Sequence, residues 1–239
     1  MKTQDPLISC ICVTKNRPLL LQRAIACFDM QDYPNKELVI SYPVNDLVTK
    51  SIIDQIEGLS EIRIVRLERH DTEKLGTSRN NAVLAANGEF VCFWDDDDWY
   101  NEDRISQQFM VLKDGPFKAS ILMHVLMHDS EIKESYYSLY HYFEGTLLCE
   151  KEILLQTACL DLDRREFSPI VPFLLSKNAL FHIIERPELY IHIYHGNNAL
   201  GETHFNYFLL QSTPLQKEVN QQVLNMTNLD YYHLKNLTE

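Results

Sequence analysis

Residues 89–100 read EFVCFWDDDDWY. An apolar, strand-like run from Phe90 to Trp94 leads straight into Asp95, Asp96, Asp97 and Asp98, and Trp99 and Tyr100 follow. Four adjacent carboxylates repel one another and cannot all be desolvated and ionised without a cation. Two plainer readings compete: a solvated turn, or caps for the next helix. The flanking aromatic residues argue against an ordinary surface loop, and so does the buried strand before the turn. A bound cation is therefore the favoured reading, with Asp96 and Asp98 shaping the turn. Hard oxygen ligands suit Mg²⁺ or Mn²⁺, completed by waters and substrate phosphates. The calcium-loop pattern is absent: the sixth position from Asp95 is Tyr100, not Gly, and the twelfth is Ser106, not Glu.

Upstream of this stretch, apolar runs and helical periodicities alternate. LISCICVT (7–14) reads as a buried strand closed by the polar loop Lys15-Asn16-Arg17. Leu19 to Met30 has helical spacing, and Pro18 suits its first turn. KELVISY (36–42) and EIRIVRL (61–67) read as strands. A helix over 47–56 lies between them, with Asp46 as a candidate N-cap. Helices are expected over 76–87 and 101–112. Strand–helix alternation with short links implies a mostly parallel sheet covered on both faces. In such sheets ligands bind beyond the carboxyl ends of the strands. The loops 15–17, 42–46 and 95–98 all fall there.

The second half is less regular. Segments 121–127, 135–143, 180–184 and 189–194 read as strands, and 151–158 and 173–177 as helical. Asp-Gly-Pro-Phe at 114–117 reads as a loop within one domain. Residues 1–112 then form one half, 113–213 a second half, and 214–239 a helical tail packed on the domain or on a second copy. The chain has 239 residues and a formal net charge of −12, from 22 Lys+Arg against 34 Asp+Glu. That balance disfavours nucleic acid and anionic lipid as non-specific partners. No apolar run reaches the roughly 18 residues a spanning helix needs, and the N-terminus lacks a signal-peptide pattern. The six cysteines form no CxxC pair, and several lie in apolar runs, which suggests reduced thiols and a cytoplasmic protein. The sequons at Asn225 and Asn236 are then chance matches.

The segments ISCICVTKNRPLLLQRAIACFDMQDYPNKELVI and KLGTSRNNAVLAANGEFVCFWDDDDWYNEDRI together resemble a family 2 glycosyltransferase of the GT-A fold. The shared features are a strand followed by Thr-x-Asn-Arg, a later Gly with Arg-Asn downstream of it, and an Asp-x-Asp motif. The resemblance is dense over 7–110 and patchy beyond. It implies an inverting transfer from a nucleotide-diphosphate sugar, UDP-sugar favoured, to a saccharide or lipid-linked acceptor. Carried over residue by residue, it implies that Thr14, Asn16 and Arg17 border the base and ribose. It puts Arg79 at the base or phosphates, Asp95 at the ribose or a metal-bound water, and Asp97 on the Mn²⁺ or Mg²⁺ ion, with Asp96 beside the nucleotide. The family's base-binding acid after the second strand is missing, and Asp46 is the available substitute.

In the second half, LDLDRREFSPIVPFLL (160–175) stands where the family keeps its catalytic base. Glu166 is the first candidate, then Asp163 and Asp161; a helix-start acid paired with Arg164 or Arg165 is the plain alternative. His195, in YHGNN, could complete the metal shell. Histidines 124, 128, 141, 182 and 192 read as packing residues. The basic stretch Arg63, Arg66, Arg69, His70 and Lys74 reads as a solvated face, or as a site for a phosphorylated acceptor or a membrane edge. Two other functions stay open: a sugar-phosphate nucleotidyltransferase, which would want a glycine-rich first loop, and a nucleotide-sugar-binding protein without activity.

Overall fold

The computed structural model describes residues 5–198 and 201–232. Its first half runs β1 (Ile8–Val13), α1 (Pro18–Asp29), β2 (Lys36–Pro43), α2 (Leu47–Leu59), β3 (Ile64–Arg69), α3 (Leu75–Ala85), β4 (Phe90–Phe93), β5 (Trp99–Tyr100) and α4 (Arg104–Met110). The second half runs β6 (Ala119–Leu122), β7 (Leu126–Asp129), β8 (Glu134–Tyr137), β9 (Leu148–Glu150), α5 (Lys151–Leu154), α6 (Ile170–Ser176), β10 (Leu180–Ile183), β11 (Tyr190–Tyr194), α7 (Glu202–Leu209), β12 (Thr213–Pro214) and α8 (Lys217–Thr227).

A seven-stranded sheet in the order β10-β6-β9-β4-β1-β2-β3 carries the fold. Pairs β1–β2, β1–β4, β2–β3 and β6–β10 are parallel, while β9 lies antiparallel between β4 and β6. The expected α/β layer with a mostly parallel sheet is thus present, and strands of the second half complete it. Both faces are covered, which is why β1 reads as a continuous apolar run rather than an alternating one. The period of two still divides it: Ile8, Cys10 and Cys12 face the layer containing Leu21 of α1 and Ile53 of α2. Ile11 faces the opposite layer, with Ala82 of α3 and Leu174 of α6.

The irregular half departs from expectation. The run 121–127 is two strands in two sheets, broken between Leu122 and Leu126, because β6 joins the main sheet and β7 a second one. The expected strand over 135–143 stops at Tyr137, and the expected helix over 151–158 stops at Leu154. The second sheet has the order β12-β8-β7-β11-β5. Its edge strand β5 is only Trp99–Tyr100, paired antiparallel with Tyr190 and Ile191 of β11. That short pairing is the hinge of the site, since it draws the end of the acidic turn against β11.

The tail packs on its own domain as far as it is described. Arg23 donates to the Thr227 carbonyl at 3.1 Å, Trp99 Nε1 donates to Tyr232 Oη at 3.1 Å, and Val223 is buried. Residues 233–239, with the Asn236 sequon, lie outside the described residues. All six cysteines are free and buried. No helix among the described residues is long and apolar enough to cross a membrane.

Candidate active site

The aromatic flanks of the acidic turn form its floor. Trp94 stacks on Tyr100 with centroids 3.8 Å apart, its indole N–H donates to the Ala24 carbonyl, and Tyr100 Oη donates to the Asp95 carbonyl at 2.7 Å. Such a pair contributes about 0.5–1.5 kcal/mol beyond its buried area. Beneath it, the fully buried Arg104 donates to the Phe93 carbonyl at 3.1 Å. The turn therefore rests on a rigid plate.

Each of the four carboxylates has its own partner, which is how the chain tolerates them together. Asp95 Oδ1 accepts from Arg79 Nη2 at 2.7 Å. Asp96 accepts from Thr14 Oγ1 at 2.6 Å and from Arg17 Nη1 at 3.0 Å. Asp97 Oδ2 accepts from Arg17 Nη1 at 3.0 Å and lies 3.3 Å from His195 Nε2. Asp98 is fully buried and accepts from Tyr190 Oη and, at 2.8 Å, from the Ile193 N–H; His192 Nδ1 lies 3.0 Å away. Asp98 thus ties the turn to β11 and faces no cavity. The protein's own arginines and histidines stand against these carboxylates.

Electrostatics differ along the row. Burial raises the Asp95 carboxyl to about 6, although Arg79 opposes the rise. Burial, with the Asp97 charge beside it, raises Asp96 too. Burial also acts to raise Asp97, but the hydrogen bond from His195 and the charge of Arg17 outweigh it and hold Asp97 low. Of the three shifted carboxyls, Asp97 is the one held low, and it faces three side-chain nitrogens, the third being Asn198 Nδ2 at 3.4 Å.

The loop after β1 is fixed by Asp46. Its carboxylate caps α2 through the Thr49 N–H at 3.0 Å and Thr49 Oγ1 at 2.7 Å, and it accepts the Asn16 N–H at 2.6 Å. Asn16 adopts the left-handed conformation (φ 51°) that asparagine tolerates. Asp46 is 1% exposed and does not line the cavity. Asp46 serves as a cap for α2 and a brace for Asn16.

Arg79 links the two halves. Its guanidinium is buried, lies 4.3 Å from the centre of the Phe167 ring, and reaches Asp95 on one side. Its Nε is 3.2 Å from Glu166 Oε1, a charge contact without hydrogen-bond alignment. Glu166 pairs with Arg79, not with Arg164 or Arg165. The loop carrying Glu166 docks on the start of α3. Gly76 N donates to the Leu162 carbonyl, and a Cβ on Gly76 would stand 1.7 Å from the Leu160 carbonyl oxygen. Asn80 brackets Cys159, donating to its carbonyl and accepting its N–H, both at 2.9 Å. The three candidate acids separate clearly. Asp163 accepts the Leu75 N–H at 3.0 Å and Asp161 accepts Thr77 Oγ1, both at the α3 terminus. Asp163 also lines the cavity edge, but Glu166 is the buried one.

These groups surround one open cavity of about 1310 Å³, counting its solvent-filled mouth. Arg17, Arg79, Asp95, Asp96, Asp97 and Glu166 line it, and so do aromatic rings, including Phe143, Phe205 and Phe208. Two histidines read from sequence as packing residues belong here. His141 lines the cavity, and so does His192, whose ring is pushed down by burial but raised on balance by Asp98. Glu144 and Asn80 went unread. Glu144 sits on the wall with its carboxyl raised by burial and by Glu166. Asn80 follows Arg79 in the Arg-Asn pair, which was the one signal that could have found it.

Among the described residues no cluster of three His, Cys, Asp or Glu side chains forms a metal site. Asp97 and His195 lie close enough to share an ion. One or two protein ligands suit Mg²⁺ or Mn²⁺, which keep waters and take substrate phosphates. The donor set fits a cation that arrives with a diphosphate.

Known proteins resemble this chain in sequence and in fold. The profile of "Glycosyl transferase family 2" matches residues 9–168. The chain is 32% identical over 93 residues to the GalNAc(5)-diNAcBac-PP-undecaprenol beta-1,3-glucosyltransferase of Campylobacter jejuni, a match covering 39% of this chain and 30% of that protein. The match thus spans about a third of that relative's length. By fold it is similar to S. aureus TarS 1–349 (TM-score 0.63, 17% identity, 78% of this chain and 60% of that one), which has also been solved with UDP and with UDP-GlcNAc. It is equally similar to the mannosyltransferase PcManGT from Pyrobaculum calidifontis in complex with GDP-Man and Mn²⁺ (TM-score 0.63, 16% identity, 82% and 59%). On the family match and this fold together, the chain belongs to glycosyl transferase family 2, with a GT-A architecture.

Proposed function

We propose that the protein transfers a sugar, with inversion, from a nucleotide-diphosphate sugar to a hydroxyl of a saccharide or lipid-linked acceptor in glycan synthesis. The observation that carries this reading is one cavity with Arg17, Asp95 and Asp97 at the carboxyl ends of β1 and β4, Arg79 on α3, and Glu166 on the facing loop. Arg17 and Arg79 orient the nucleotide end, with Asp95 toward the ribose. Asp97 and His195 would hold Mn²⁺ or Mg²⁺, which neutralises charge on the departing diphosphate. UDP is the favoured nucleotide.

Glu166 takes the proton from the acceptor hydroxyl. As that oxygen bonds to the anomeric carbon, the bond from this carbon to the diphosphate oxygen breaks, and the electron pair leaves with the diphosphate. Arg79 holds Glu166 and Asp95 at a fixed separation, so the base and the donor end share one brace. Thr14, Asn16 and Asp96 position the loop that Arg17 crosses. Six buried free thiols support a cytoplasmic setting.

The test is to mix purified protein with Mn²⁺ and UDP-glucose, UDP-GlcNAc or GDP-mannose, and to follow thermal shift and nucleotide release. A donor-specific shift that needs Mn²⁺ is expected. No shift with any donor defeats the reading, and pyrophosphate release from a nucleoside triphosphate would point to nucleotidyl transfer instead.

A further inference from the structure

Arg164 and Arg165 stand apart from every other arginine in the chain. Each of the other eight makes a hydrogen bond or an ion pair; these two make neither among the described residues. Both are exposed, and both line the cavity. In a chain of net charge −12, two adjacent unpartnered guanidiniums are unexpected, because acidic neighbours are plentiful.

The loop that carries them is built, not slack. Leu160 N donates to the Glu166 carbonyl at 2.8 Å, Gly76 N to the Leu162 carbonyl at 2.9 Å, and Leu75 N to Asp163 at 3.0 Å. Arg165 sits at φ 60°, a conformation that costs a non-glycine residue about 1 kcal/mol or more. The adjoining acids are already spent: Asp161 and Asp163 turn to α3, and Glu166 turns to Arg79. His204 and His141 also line the cavity, each with its ring against Phe208. Burial and the charges of His192, His141 and Arg165 together push the His204 ring down. Of the four arginines that line the cavity, Arg17 and Arg79 are paired with acids, and Arg164 and Arg165 are not.

We infer that Arg164 and Arg165 seat an anionic phosphate on the acceptor, so that the acceptor is a phosphate-bearing saccharide. This rests on the glycosyltransferase reading of the same cavity. Guanidinium forks match phosphate oxygens bidentately. Arg17 and Arg79 are already paired with acids, so the acceptor's anion is held at Arg164 and Arg165, and the neutral sugar lies over the aromatic rings with a hydroxyl toward Glu166. The field orients the acceptor before any contact with the base is made. The other basic stretch does not compete for this role. Arg66 pairs with Asp54 and Glu57, Arg69 donates to the Thr14 carbonyl, and Lys74 donates to the Asp161 carbonyl.

The test uses full-length protein saturated with UDP and Mg²⁺, so that the nucleotide subsite is filled. Glucose 1-phosphate, glucose and phosphatidylglycerol vesicles are added separately, and binding is read from the arginine Nε–H resonances and by calorimetry. Glucose 1-phosphate should bind about tenfold or more tightly than glucose. That preference should vanish in Arg164→Gln/Arg165→Gln and fall in each single variant, which keeps the test valid if the double variant misfolds. Equal affinities, or a preference that persists in the variants, would overturn the inference. So would a response to vesicles alone, which would make the pair a membrane contact. UDP affinity is measured first. If neither UDP nor GDP binds, the glycosyltransferase reading and this inference fall together, and if GDP binds in place of UDP it takes UDP's place in the test; intact nucleotide binding without phosphate preference removes this inference only.

Discussion

Arg79 Nε lies 3.2 Å from Glu166 Oε1 while its Nη2 lies 2.7 Å from Asp95 Oδ1. One buried guanidinium thus spans the acid of the nucleotide end and the acid of the acceptor end. Removing it strands two carboxylates. Arg79→Ala should destabilise the protein by about 3–5 kcal/mol, the range for breaking a buried pair from one side. Urea unfolding of variant and wild type measures this. A loss below about 1 kcal/mol would mean that the brace is not structural.

Glu166→Gln separates chemistry from binding. It keeps the shape of the side chain and removes the proton acceptor. Turnover should fall by ~10² or more, with donor affinity nearly unchanged. Initial rates and donor titration decide it, and full turnover would move the base to Glu144 or Asp163.

Arg17 occupies the oxygen that a cation would take. Its Nη1 lies 3.0 Å from Asp97 Oδ2, and its side chain is 30% exposed. In nucleotide-free protein, Arg17→Gln should tighten Mn²⁺ binding by roughly three- to tenfold, a modest gain because solvent already screens the pair. Asp97→Ala should abolish Mn²⁺-dependent donor binding. Spin-resonance titration of free Mn²⁺ reads both, and retained binding in Asp97→Ala would dismiss the metal assignment.

Gly76 is needed for the approach of the Glu166 loop. A Cβ there would stand 1.7 Å from the Leu160 carbonyl oxygen, which is backbone and cannot swing away. Gly76→Ala should therefore lower both Tm and turnover, whereas Gly58→Ala, with nothing near the new methyl, should lower neither. Equal behaviour of the two variants would contradict the docking geometry.

His128 gives a pH dependence. Its ring is 3% exposed, and burial lowers its pKa below 6.5. Below about pH 6.5 the unfolded chain takes up a proton that the folded one resists. Stability thus falls as pH drops, by at most about 1.4 kcal/mol per unit for one group. His128→Asn should be less stable at pH 7.5 yet lose less Tm between pH 7.5 and 5.5 than the wild type. An equal loss in both would exclude His128 as a source of the acid sensitivity.

The first half was legible because its signals are local. Apolar runs such as ISCICV, helical spacing after Pro18 and the acidic turn after β4 each depend on near neighbours in the chain, and the carboxyl-end rule gathers their loops on one rim. Thr14, Arg17, Arg79, Asp95, Asp96, Asp97, Glu166 and His195 do meet around one site. The second half was misread where pairing is long-range. Segment 121–127 has one continuous apolar pattern, yet it serves two sheets. The antiparallel β9 has only three residues, too few to show a period. His192 alternates along an apolar strand like a packing residue, and only the β5–β11 pairing turns it to Asp98.

By itself, the sequence determined that a parallel sheet would end in a row of aspartates flanked by aromatic rings, since strand periodicity and like-charge repulsion are properties of adjacent residues. Tertiary structure alone decided how those aspartates divide. Asp98 is consumed by β11, Asp96 by the loop after β1, and Asp95 by Arg79, which leaves Asp97 facing Arg17 and His195. Neighbours in the chain share a composition, but each carboxylate takes its role from the partner that folding brings to it from a distant segment.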